Sequence, residues 1–522
     1  MSIFSPPKHQ KLIPFNIPAV TGPEIEYINI AIKNGTLTNG RYTHQCQSWL
    51  EQRLSCRKVL LTPSCTAALD LAALILDIKP GDEVILPSYT HPSTANAFLL
   101  RGASLVFVDI VPETMTINPT QVREAITDRT RVVVPVCYAG FAGDMDEILE
   151  IARERGIYVV EDAALGLFST YRDCAVGTMG QLGCISFQEG ENITAGGQGG
   201  ALLVNDPGLI ERAEIIWNKG MMHDVAFRST DESVDTWQLV GGSYAISELQ
   251  SAYLWAQLEG AESIQIQRHR IWNLYWKELE GLETQGIIQL PALLPHREHN
   301  ARIFWIKVRD MAERREFMES MKGVGISVLP HYSPLHKIGP GMNHRHVMDE
   351  DVVTRESERL VRLPIYYAMS LDDARFVIDQ IRQFYSAGKS TVAAVQQPAR
   401  VARLLAQPQL LPQQPPRLAH SRRSQSHKYQ SGFDLPAKKA RRRGPDGMCS
   451  CSSHNVRYNL RAIGVLEEMI RQTLPSRYLV QDSGFLDKFE IGQSEREVVL
   501  GALGFLQILL PFLYRDGEGI RR

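Results

Sequence analysis

The chain has 522 residues, of which 44% are hydrophobic and 22% charged, with a formal net charge of −2. That length predicts roughly two to four domains with room for large cores, and the charge balance excludes a whole-molecule pull toward nucleic acid or an anionic membrane. The eight cysteines, Cys46, Cys56, Cys65, Cys137, Cys174, Cys184, Cys449 and Cys451, lack metal-ligand spacing. They predict reduced thiols in a cytoplasmic protein and no metal site.

The N-terminal MSIFSPPKHQKLIPF lacks the long apolar run of a signal peptide. Short apolar strands are then predicted at 58–62 (KVLLT), 83–87 (EVILP), 104–109 (SLVFVD), 131–136 (RVVVPV), 157–162 (IYVVED), 182–187 (LGCISF) and 200–205 (GALLVN). Helical patterns lie between some of them, as at 66–78 and 144–156. This alternation predicts an α/β fold with a largely parallel sheet covered on both faces. Such sheets bind ligands at the carboxyl ends of their strands, where Glu161, Asp162 and Ser186 stand.

From 245 to 282 the pattern is one long amphipathic helix. A second α/β region follows, with strands expected near 303–308 and 325–332 and helices near 312–323 and 371–385. The texture then changes. Residues 396–432 are rich in Gln, Pro, Arg and Ser, a composition that cannot bury enough apolar surface to offset its ordering entropy. The basic run 437–444 (AKKARRRG) reads either as a solvated charged segment or as a nuclear-import or polyanion-binding patch. Residues 456–474 have helical periodicity, and 498–514 form a 17-residue apolar run. A spanning helix needs about 20 apolar residues. The run is therefore read as a helix in a small module, an interfacial or tail anchor, or a misjoined reading of the gene. The expected organisation is a large α/β domain at 1–244, a connecting helix and small domain at 245–388, a linker at 389–455 and a helical tail at 456–522.

The stretch 58–103, with 158–164 (YVVEDAA), 186–187 (SF), 194–201 (TAGGQGGA), 241–259, 331–336 (HYSPLH) and 355–367, resembles the pyridoxal-phosphate-dependent nucleotide-sugar aminotransferases of the DegT/StrS group, fold type I. Within that group it is most like the enzymes that aminate TDP-4-keto-6-deoxyglucose at C4 to give TDP-fucosamine. The resemblance covers about residues 12–386 and implies a homodimer, a nucleotide-sugar substrate, glutamate as amino donor and pyridoxal or pyridoxamine 5′-phosphate as cofactor. Cys65 and Thr66 match the turn that holds the cofactor phosphate, a place where helix-start amides suit a dianion. Ser186 matches a second phosphate ligand, and Ser243 matches a residue offered by the neighbouring subunit. Asp162 matches the carboxylate that keeps the pyridine nitrogen protonated.

Five positions depart from the family. His91 stands where an aromatic ring stacks on the cofactor, and Leu165 where a glutamine or histidine touches its phenolic oxygen. Gln188 and Cys137 each replace a histidine. Glu191 stands at the position of the Schiff-base lysine. A carboxylate cannot form an imine, and beside a phosphate it is expected to take up a proton or cost the pocket its cofactor. Lys219 lies in a loop that matches a position near the substrate in relatives, not the place of the imine lysine. Three functions stay open: a working sugar aminotransferase of polysaccharide biosynthesis, a lysine-free enzyme that binds the pyridoxamine form noncovalently, and a pseudoenzyme pairing with itself or with an active paralogue. No nucleic-acid or membrane partner is expected.

Overall fold

The computed structural model describes residues 12–221 and 237–386, all within one unit of the chain, Met1–Gln407. The expected linker, basic run and helical tail, Cys449, Cys451 and nearly all of the loop 221–237 lie outside the described residues.

Helices α1 (Glu24–Asn34) and α2 (Arg41–Leu54) come first. The N-cap of α2 is Gly40, which has no side chain to offer. The Glu248 carboxylate does that work instead, accepting the amides of Gly40 and Tyr42 and the Thr43 hydroxyl. The chain then runs β1 (Lys58–Thr62), α3 (Cys65–Ile75), β2 (Glu83–Pro87), α4 (Pro92–Leu99), β3 (Ser104–Val108), β4 (Thr130–Val133), α5 (Met145–Arg155), β5 (Tyr158–Asp162), β6 (Leu182–Ser186), β7 (Gly200–Val204) and α6 (Ile210–Trp217). After the undescribed loop come α7 (Glu248–Glu259), α8 (Ala261–Thr284), β8 (Phe304–Lys307), α9 (Met311–Gly323), β9 (Arg345–Val347), α10 (Val352–Arg359), β10 (Leu360–Leu363) and α11 (Leu371–Ser386).

Eight strands form one sheet in the order β1-β7-β6-β5-β4-β2-β3-β9. Only β7 runs against its neighbours. Alternate residues of each strand serve opposite faces. Leu60, Val84, Val160 and Leu202 pack with the apolar sides of α3 and α4. Val59, Ile85, Val159 and Leu203 pack with α2 and α5. Both faces are covered, which is why these strands read as continuous apolar runs.

Three expectations are corrected. The long helix over 245–282 is two helices broken at Gly260. A Cβ at Gly260 would lie 2.5 Å from the Thr21 methyl, and Thr21 Oγ1 donates to the Ala256 carbonyl, so the N-terminal segment wedges into the break. Residues 325–332 form no strand, only isolated bridges from Ile326 to Ile13 and from Leu329 to Arg362. Strand β9, not anticipated, adds to the sheet edge beside β3.

Candidate active site

The strand register sets the site. Thr62, Gly200 and Ser186 lie in one row across β1, β7 and β6, and Cys184 pairs with Asp162 on β5. The carboxyl ends of β1, β5 and β6 therefore share one edge of the sheet. At that edge Ser64 caps α3, its hydroxyl accepting the Ala67 amide at 3.1 Å. The amides of Cys65 and Thr66, in the first two helical positions, have no intrahelical acceptor and carry the positive end of the helix dipole. Gly200 permits this arrangement: a Cβ there would lie 2.4 Å from the Cys65 nitrogen. Burial pushes the Cys65 thiol well above the usual range. Ser186 is buried, and its hydroxyl accepts the Gln188 amide at 3.3 Å.

A hydroxyl chain leads away from this turn. Thr66 Oγ1 donates to Ser93 Oγ at 2.9 Å, and Ser93 Oγ lies 2.9 Å from His91 Nδ1. His91 is the N-cap of α4 and accepts the Ser93 amide. Its exposed ring meets Tyr332 edge-on, with centroids 6.3 Å apart. Tyr332 packs in turn on Tyr89 and His331. Its phenol is pushed up by burial, with the charges of Tyr138, Asp162 and Glu191 adding.

The adjacent acids Glu161 and Asp162 have separate tasks, because successive strand residues point to opposite faces. Glu161 accepts the amides of Gly177, Met179 and Gly180 and so ties down a loop. Asp162 accepts from Thr94 Oγ1 at 2.6 Å and from the Ala164 amide at 3.1 Å. Its backbone is pinned by Pro135 on one side and Cys137 on the other. Burial raises its pKa against those two hydrogen bonds. Among the described residues no cation forms an ion pair with its carboxylate, although the charge of His91 favours the anion, so a protonated ring nitrogen would supply the missing partner.

Glu191 has a partner that the sequence did not announce. Arg302 Nε donates to Glu191 Oε2 at 2.6 Å, and each side chain is only 11% exposed. A guanidinium therefore faces the carboxylate at position 191. Losing one member of such a pair costs roughly 3–5 kcal/mol, because the other charge is stranded. The segment carrying Arg302 is firmly set. Asn300 Oδ1 accepts the Arg302 amide at 3.0 Å, and Asn300 Nδ2 donates to the carbonyls of Leu165 and Leu167, each at 2.8 Å. Asn192 donates to the Asn300 carbonyl at 2.8 Å. Beneath, the buried Arg268 donates to the carbonyls of Ala301 and Arg302. On the other side, Gln188 shapes the turn into Glu191, its carbonyl accepting the Glu191 amide and its side chain the Gly190 amide. Ala164, Leu165, Ser186, Glu191, Asn300 and Arg302 line one recess.

Two expected residues stand apart. Ser243 is exposed and bridged by its backbone to Asn218, and among the described residues it makes no hydrogen bond to the recess. Lys219 is exposed, with a left-handed φ of 63° and its amide on the Gly242 carbonyl. The fully buried Lys307 is held elsewhere, by Glu356 and the Pro112 carbonyl. Sequence reading missed Arg302, Asn300, Thr94 and Ser93. The Asn300–Arg302 pair lies more than a hundred residues from Glu191, and no local pattern links them.

Residues 18–382 match the sequence model of the DegT/DnrJ/EryC1/StrS aminotransferase family. The chain belongs to that family. An uncharacterized protein of Methanocaldococcus jannaschii is 32% identical over 391 residues, covering 72% of this chain and 98% of the relative. The spore coat polysaccharide biosynthesis protein SpsC of Bacillus subtilis is 30% identical over 389 residues, covering 72% and 97%. Among solved structures, the aminotransferase TlmJ from Streptoalloteichus hindustanus superposes with a TM-score of 0.66 at 28% identity, covering 72% of this chain and all of TlmJ. The mixed sheet with β7 reversed is the α/β fold type I of the pyridoxal-phosphate-dependent aminotransferases. The family match ends at residue 382, so the C-terminal 140 residues lie outside it.

Proposed function

We propose that this chain is a nucleotide-sugar aminotransferase relative that holds pyridoxal or pyridoxamine 5′-phosphate without a covalent bond and is impaired or inactive in transamination. The observation that carries the proposal is the Glu191–Arg302 ion pair in the recess beside Ser186 and Leu165. The start of α3 and Ser186 would hold the phosphate, and Asp162 the ring nitrogen, with Leu165 and His91 along the ring. When bound, the cofactor supplies an electron sink for carbon–nitrogen chemistry. The chain's own residues supply binding and orientation: amides for the dianion, a buried carboxylate for the pyridinium and apolar walls against water. A side chain that can bond the aldehyde is missing from this set. On the resemblance, the ancestral reaction is glutamate-dependent amination of a TDP-4-keto-6-deoxyhexose at C4 for polysaccharide synthesis. SpsC, a spore coat polysaccharide biosynthesis protein, fits that class. The present role would then be that of a partner, in a homodimer or with an active paralogue, contributing Ser243 across the interface.

The test is a titration of the full chain with pyridoxal 5′-phosphate. Saturable quenching of intrinsic fluorescence, with no absorbance band of a protein-bound imine and no adduct after borohydride, is the expected result. An adduct on any lysine overturns the proposal. A second reading is a lysine-free enzyme that works on the pyridoxamine form, and it draws on the fixed orientation that Arg302 gives the Glu191 carboxylate. Conversion of a keto sugar nucleotide by the chain loaded with pyridoxamine 5′-phosphate would favour it.

A further inference from the structure

Glu191 and Arg302 are separated by 111 positions in sequence and meet at 2.6 Å. They also stand over a third charge. Arg268 lies fully buried under the Arg302 segment and donates to two of its carbonyls. Burial and the charge of Arg302 both push Arg268 down, to about 9, while Glu191 pulls the other way. Glu191 is thus paired with Arg302, and its charge also favours the charged form of Arg268. Among the described residues, the Arg302 guanidinium makes no hydrogen bond other than the one to Glu191, and its Nη2 lies 3.4 Å from where a Cβ on Gly190 would be. A side chain that starts from position 191 therefore meets Arg302 within its first few bonds.

Resting on the noncovalent reading above, we propose that Glu191 and Arg302 form one functional unit: Arg302 is the positioning residue that fixes Glu191 and holds position 191 in a state inert toward aldehydes, so that both residues must change before a lysine there can bond the cofactor. The physical reason is charge and space. A lysine alone at 191 replaces the Glu191 carboxylate by a further cation, directly against the Arg302 guanidinium. Arg302, no longer paired, keeps the volume that the lysine needs. Bond formation requires the neutral lysine Nζ to attack the aldehyde carbon. The carbonyl oxygen leaves as water, and borohydride then delivers hydride to the imine carbon to give a stable secondary amine.

The experiment compares the full-length wild type with E191K, R302Q, R302K, E191Q/R302Q and E191K/R302Q, each mixed with pyridoxal 5′-phosphate. Fluorescence quenching gives the reversible affinity; absorbance and the mass of the 191-containing peptide after borohydride give the covalent bond. E191K/R302Q is expected to show the imine band and near-stoichiometric labelling, and E191K alone less than about a tenth of that labelling. R302K keeps the wild-type affinity within about threefold, whereas R302Q, with the Glu191 charge left unpaired in the recess, weakens it by at least about tenfold. E191Q/R302Q, neutral at both places, controls for folding by its thermal midpoint and is expected to bind reversibly without labelling. Equal labelling of E191K and E191K/R302Q overturns the coupling, as does an unlabelled double variant that still binds reversibly. Absence of reversible binding in the wild type and in every folded variant overturns the cradle reading itself, and the coupling with it.

Discussion

At one end of the candidate site, backbone amides at the start of α3 lie against Gly200, which pairs with Ser186, all set by the register of three strands. At the other end, in the recess, Glu191 and Arg302 meet across more than a hundred residues of sequence, held by Asn300 and Arg268. The first end is made of main chain and small hydroxyls. It survives side-chain change as long as the sheet and helix stay in place. The second end depends on what individual side chains carry, and there one residue can remove a chemistry while the fold remains. On the function proposed above, a family's binding geometry and its reactivity are stored in different parts of the structure. They can be lost separately.

The sharpest way to break the comparison is at Asp162, which we assign to the binding end. Asp162→Asn keeps the Thr94 and Ala164 contacts nearly isosteric but removes the charge. Reversible affinity for pyridoxal 5′-phosphate should fall by about 3 kcal/mol, roughly a hundredfold, in a fluorescence titration; unchanged affinity would remove Asp162 from the site. Next is Gly200→Ala, which presses a methyl onto the Cys65 nitrogen. A stability loss of about 2 kcal/mol by denaturant unfolding is expected, with weaker phosphate-dependent binding. If only stability fell and inorganic phosphate still competed with the cofactor as before, the turn would not be the anion site.

A pH series probes the packing behind the second end. His299 lies against Trp272, Phe141 and His269, with ring centroids 4.0, 4.9 and 5.1 Å away. Burial, with His269 adding, depresses it to about 3 from the usual 6.5. The unfolded chain therefore binds the extra proton between those values. The His299 contribution is fully present above pH 6.5 and is lost as pH falls toward 3, by at most about 1.4 kcal/mol per pH unit. His299→Gln should flatten that part of the acid unfolding profile; an unchanged profile would rule out this cause. The smallest effect is expected from Leu165→Gln, which places an amide in the recess at the ring position. A gain of about 1 kcal/mol in cofactor affinity without any covalent labelling would sharpen the distinction between holding and reacting.

Much of the fold was legible because local patterns and tertiary needs agree. The apolar runs of the seven central strands match a sheet buried on both faces, and Ser64 before an apolar helix signals the start of α3. The failures were also physical. The helix through 245–282 breaks because Thr21, far upstream, occupies the space at Gly260, and β9 pairs as an edge strand of three residues, too short to leave a periodic mark. Asp162 and Ser186 were visible as candidates because they stand at the ends of strands that the pattern defines, and Cys65 and Thr66 because they match the family's phosphate turn. Thr94 and Asn300 were not, since their partners are Asp162 and the carbonyls of Leu165 and Leu167, none of them local in sequence.

The order of residues alone determined that the central sheet is buried, that its strand ends carry Asp162 and Ser186, and that a carboxylate stands at position 191. Those features depend on side-chain period, turn chemistry and residue type, all of which are local. The tertiary structure alone decided that Glu191 would be neutralised by Arg302 with Arg268 beneath it. Charges compensate through space, and proximity between residues 191, 268 and 302 exists only once the chain has folded.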